Sequence, residues 1–169
     1  MRRRRERPNA DFARNPQDLL NEETNAMKKR TTANPKRRLR AAPVVGGDLL
    51  RLAALAAEAV YGGNPEHKRN PGDFRLSPPS LPRPGKTLCD GAQVFARAQA
   101  ETLLREGLRR GLVSVQERNG WPQNVWAVAE NDVPVEAMLE NQERGVYHGY
   151  PMLSDDPLRE EVLQRWNAP

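Results

Sequence analysis

The densest run of groups able to do chemistry is Tyr147-His148-Gly149-Tyr150-Pro151. A histidine titrating near neutrality can serve as general acid or base. Tyrosines can donate hydrogen bonds to a phosphate or stack on a base, and Gly149 lets a ligand come close to the backbone. A second run, residues 62–70, sets glycines beside His67, Lys68 and Arg69, a composition suited to phosphate oxygens, although the spacing of a Walker loop is absent. Brought together, His67 and His148 would form an acid–base pair for phosphodiester cleavage. Tyr147 and Tyr150 would assist, and Lys68 or Arg69 would stabilise charge on the pentacovalent phosphorus. The plainer reading of both runs is structural: a strand ending at Gly-Pro with aromatics at its rim, and a solvated loop.

Other constellations are weaker. His67, Cys89 and His148 contain no local pair with zinc-ligand spacing, so no metal and no other cofactor is expected. Glu136 and Glu140 fall on one face of a strand and read as the wet side of a sheet rather than a cation site. The run 79–84, Pro-Ser-Leu-Pro-Arg-Pro, fits a polyproline ligand pattern that is common by chance.

The elements that must position these groups follow from periodicity and turn chemistry. A marginal helix is expected over 16–27, with Leu19, Leu20 and Met27 as its few apolar groups. A helix over 48–61 is capped by Asp48 and stopped by Gly62-Gly63. It is apolar enough to suggest burial on more than one side. Residues 62–89 carry six prolines and should be irregular. A helix over 90–110 has apolar residues that change face near Gln99, which implies a kink there. An antiparallel meander follows, with strands over 113–117, 124–130 and 133–140. Asn119-Gly120 and Asn131-Asp132 are its turns, and a fourth strand is available over 145–151. A last helix should start at Asp155 or Asp156, with Leu158, Val162 and Trp166 inside. The expected fold is therefore α+β: two N-terminal helices, a three- to four-stranded antiparallel meander and a C-terminal helix.

Charge divides the chain. Residues 1–40 carry 13 Lys/Arg against 5 Asp/Glu, a net +8, whereas 41–169 carry 14 against 17, a net −3. Only 37% of the residues are hydrophobic and 29% are charged, so part of the chain should not pack. Residues 1–46 are read as a disordered basic arm and 47–169 as one domain. Arg2, Arg3, Arg4, Arg5, Lys28, Lys29, Arg30, Lys36, Arg37 and Arg38 in the arm, with Lys68 and Arg69, are the expected contacts to phosphates of RNA or DNA. The acidic C-terminal half offers a surface for a protein partner. The sequence leaves open the oligomeric state and whether Met1 or Met27 is the natural start.

One cysteine allows no internal disulfide. No apolar run approaches a membrane span. The opening Met-Arg-Arg-Arg-Arg is followed by no apolar stretch of the secretory type, so a cytoplasmic setting is expected. The order helix, helix, meander, helix over about 48–151 resembles small bacterial ribonuclease toxins in layout, which implies RNA cleavage without assigning residues. The composition favours a nucleic-acid-associated protein whose body docks a partner or substrate. A small metal-independent nuclease using His148 is the alternative, and an adaptor acting only on other proteins is a third reading.

Overall fold

The computed structural model describes residues 34, 37–81 and 83–168. The expected helix over 16–27, and Arg2, Arg3, Arg4, Arg5, Lys28, Lys29, Arg30 and Lys36, lie outside these residues.

The fold is α+β, with three helices, a mixed four-stranded sheet and a small two-stranded sheet. Helix α1 spans Gly47–Glu58 and ends three residues earlier than its periodicity suggests. Val60–Tyr61 instead forms strand β1, because the backbone finds better partners across the chain. Val60 N–H donates to the Gly145 carbonyl at 3.0 Å, and Gly62 N–H to that of Tyr147 at 2.7 Å. Only Leu52 and Ala56 of α1 are buried, and Leu49 and Leu50 face solvent. The helix therefore packs on one side, not on several.

Helix α2 spans Arg97–Arg109. The helix expected from residue 90 is interrupted before α2. A 3-10 turn, Cys89–Ala92, ends at Gln93, whose φ is 56°. The Gln99 side chain then accepts hydrogen bonds from Phe95 and Ala96 N–H, both at 2.9 Å. The change of apolar face near Gln99 thus marks a helix start, not a kink. At Gly107 a Cβ would stand 2.3 Å from the Trp126 carbonyl oxygen, so glycine lets α2 lie directly on the sheet.

The main sheet has the order β1–β6–β5–β4, from β4 (Asn124–Val128), β5 (Pro134–Asn141) and β6 (Val146–Pro151). β4, β5 and β6 are antiparallel as expected, and β1 adds a parallel edge that sequence patterning did not reveal. The strand expected over 113–117 is reduced to single bridges, Val113 to Val125 and Leu39 to Ser114. Next to them is a two-residue ladder of β2 (Glu117–Arg118) with β3 (Trp121–Pro122). Asn119 and Gly120 turn this hairpin with φ of 49° and 78°.

Strand alternation gives the sheet two unlike faces. Val125, Ala137, Leu139 and Tyr147 point into a core shared with α1 and α2. Trp126 and Val128 face the other way, into a smaller core with Leu39, Met152, Leu158 and Val162. That second core is closed by α3, Arg159–Trp166. α3 covers only one end of the second face, and the other end carries the candidate chemistry.

Residues 37–46, read from composition as arm, are part of the body from Arg37 onward. Arg40 N–H donates to Val113 O at 2.8 Å, Val115 N–H to Arg38 O at 2.8 Å, and Leu39 is buried.

Candidate functional site

His148 and Tyr150 share the second face of β6, and their registers place them opposite Met138 and Glu136 of β5. His67 reaches the same place from the proline-rich segment. Its 3-10 turn, Pro65–His67, is started by Pro65 and by the Asn64 side chain, which accepts from Glu66 N–H at 2.9 Å. The His67 ring lies 5.1 Å from the Tyr150 ring, and the His148 ring 6.4 Å from it, centroid to centroid. Two histidines far apart in sequence therefore flank one tyrosine.

The two imidazoles differ in their surroundings. His67 Nδ1 is 2.7 Å from the Thr87 carbonyl oxygen. That oxygen only accepts, so Nδ1 carries the proton and Nε2 holds the lone pair of the neutral ring. Burial pushes the His67 pKa below the usual imidazole range, and the charges of Lys86 and His148 push the same way against the Thr87 hydrogen bond. His148 Nδ1 faces Glu140 Oε2 at 3.7 Å, too long for a hydrogen bond. Nδ1 is buried and has no other partner among the described residues. Burial lowers the His148 pKa too. Glu140 opposes that shift by favouring the imidazolium, and Lys86 adds to it.

The turn bearing His67 is held by its neighbour. The Lys68 ammonium is fully buried, 3.1 Å from Asp90 Oδ1, and donates to the Val94 carbonyl at 3.3 Å. It also sits 4.8 Å from the centre of the Phe74 ring. Asp90 Oδ2 accepts from Arg69 N–H at 3.0 Å. Lys68 is thus a structural clamp, which corrects its assignment as a phosphate contact. Arg69 keeps an exposed side chain beside a cleft of about 330 Å³, also lined by Glu66, Arg83 and Lys86.

Other assignments change for similar reasons. Tyr147 points to the opposite face of β6 from His148. Its hydroxyl donates to the Pro122 carbonyl at 2.7 Å inside the main core, and burial pushes its pKa up. It is a core residue and not part of the site. Arg37 is not a free arm cation. Its guanidinium makes two hydrogen bonds to Glu136, at 2.8 and 3.1 Å, and one to Asp156 at 2.6 Å, with all three side chains buried. Glu136, expected on a wet face, is fully buried and accepts from Asn124 Nδ2 at 2.8 Å as well. Glu140, on the same face, is exposed. Arg38 is exposed at the surface. Cys89 is buried with its thiol 3.7 Å from the Gly149 carbonyl oxygen, and burial pushes it up to about 11.

Lys86 is the group that sequence reasoning missed. It lies among prolines with no periodic or motif signal, and only the folded segment brings its charge to both histidines. The exclusion of Tyr147 was readable, because residues 147 and 148 must face opposite sides of any strand.

Compared with protein-family models, curated proteins and solved structures, the chain matches none. No described helix is long and apolar enough to cross a membrane.

Proposed function

We propose that this chain is a small ribonuclease that cleaves RNA by internal transesterification, with His67 as general base and His148 as general acid. The observation that carries the reading is the placement of both His67 and His148 against the ring of Tyr150. Neutral His67, with its Nδ1 proton committed to Thr87, offers Nε2 to take the proton of a ribose 2′-hydroxyl. The 2′-oxygen forms a bond to phosphorus, the bond from phosphorus to the 5′-oxygen breaks, and His148 protonates that leaving oxygen. Glu140 favours the charged form of His148 that this step requires. Lys86 stabilises the negative charge that builds on the phosphoryl oxygens. The products are a 2′,3′-cyclic phosphate and a 5′-hydroxyl. The basic N-terminal stretch adds contacts to phosphates without sequence choice.

The test is incubation of the full-length chain with end-labelled RNA and analysis of the new termini. Cyclic phosphate ends, lost in both His67→Ala and His148→Ala, are the expected result. Cleavage that survives either substitution would overturn the assignment. RNA that is bound in a salt-dependent way but left intact would return the chain to a nucleic-acid-binding protein.

A further inference from the structure

The cleft beside His67 has chemistry of its own. Its rim carries Arg69, Arg83 and Lys86 against one carboxylate, Glu66. Lys68 also borders it, but Asp90 already neutralises that charge. Glu66 holds two of the rim cations in place, with Oε1 3.0 Å from Arg83 Nε and Oε2 3.9 Å from Lys86 Nζ. Three cations on one anion leave a local excess of positive charge, although residues 41–169 as a whole are acidic. Pro71 and Pro79 contribute walls with restricted backbone and no N–H donors, so the rim side chains supply much of the polar recognition. A volume near 330 Å³ is of the size that takes one small ligand or nucleotide unit.

We propose that this cleft is a phosphate subsite that holds the backbone of single-stranded RNA next to the scissile phosphodiester. The inference rests on the ribonuclease reading and deepens it: the substrate is an extended single strand, and a dinucleotide would miss part of the site. Two links tie the cleft to the catalytic pair. Glu66 lines it and is joined by one peptide bond to His67, so one 3-10 turn carries both the cleft wall and the base. Lys86 lines it and also acts on both imidazoles. In this reading a strand lying in the cleft continues past Glu66 and Lys86 to the histidine pair.

The experiment uses the full-length chain and the double variant Arg69→Gln/Arg83→Gln. Both residues are exposed, and circular dichroism checks that the fold is retained. kcat/KM is measured on a dinucleoside monophosphate and on a single-stranded RNA dodecamer over a range of KCl. In parallel, fluorescence anisotropy follows binding of the labelled dodecamer to the His148→Ala background with and without the double change. The variant should lose on the order of tenfold more on the dodecamer than on the dinucleotide, through KM. The salt dependence of dodecamer binding should fall by about 1.4 in log–log slope, roughly 0.7 for each phosphate contact removed. Equal losses on the two substrates, with an unchanged slope, would overturn the subsite. If neither substrate is cleaved, the ribonuclease reading fails by itself, and the anisotropy slope still decides whether RNA lies in the cleft.

Discussion

The two ends of the sheet's second face use the same strands for opposite purposes. At one end Glu136 of β5 meets Arg37 and Asp156, and helix α3 seals the group from water. At the other end Glu140 of β5 and His148 of β6 lie near each other without closing a hydrogen bond. In both places one acid stands on the same face of β5, with Met138 between the two. The difference is coverage. Where a helix and the residue 37–40 segment lie over the strand, each charge must find a partner or fold stability suffers. Where the proline-rich segment covers the strand instead, His67 and Tyr150 are buried as well, but the His148 Nδ1 is left without a hydrogen-bond partner among the described residues. The sealed ion cluster and the unpaired Glu140–His148 contact are thus separated by four residues along β5.

Substitutions at each end should sharpen this contrast. The largest effect is expected at the sealed end. Arg37→Ala leaves two buried carboxylates without their cation and should cost about 3–5 kcal/mol in chemical denaturation. A loss under about 1 kcal/mol would mean that water reaches the network. At the histidine end, His148→Ala and His67→Ala should each lower RNA cleavage on the order of 10²–10⁴-fold if the proposed reaction holds. Unfolding midpoints should move far less than for Arg37→Ala. Strong destabilisation by His148→Ala with modest loss of rate would make the histidine end structural too.

Protonation gives a third, smaller handle. Both histidines have pKa values lowered chiefly by burial. NMR titration of their ring protons should give midpoints below the ordinary value of about 6.5. Between those midpoints and about 6.5 the unfolded chain binds more protons than the native one. Native stability should therefore rise with pH through that interval and be lost on acidification. Cleavage, which needs one neutral and one charged imidazole, should peak on the acid side of 6.5. A peak well above 7 would contradict the assignment. The smallest effect is expected for Glu140→Gln. Without the carboxylate that favours its imidazolium, His148 should titrate at a still lower pH. Because Glu140 is more than half exposed, the shift should shrink as salt is added.

Much of this frame is legible from residue patterns. Alternation in 133–140 and the turn at Asn131-Asp132, where Asp132 has φ of 57°, define β5 and its hairpin. The two histidine runs stand out by composition alone. What escapes is anything set by a partner far along the chain. Glu136 looks solvent-facing until Arg37, 99 residues away, is placed on it. Val60–Tyr61 continues a helical pattern, and only pairing with Val146 and Tyr147 makes it a strand. Lys68 reads as a phosphate ligand because nothing local shows that Asp90 and Phe74 enclose it. Lys86 carries no signal at all before folding.

The Lys68 clamp has a consequence for how the molecule can be divided. The stretch around Leu81, which is 85% exposed, lies between Lys68 and Asp90 in sequence. A single protease cut there would yield two polypeptides, each holding one histidine. The first would bring β1 and His67, and the second β4, β5, β6 and His148. They would remain joined by the Lys68–Asp90 pair, the β1–β6 ladder, the Arg37–Glu136 bridge and the Gly149 N–H bond to the Tyr61 hydroxyl. The exposed stretch around Leu81 thus divides the chain into two segments that the sheet and two ion pairs hold together.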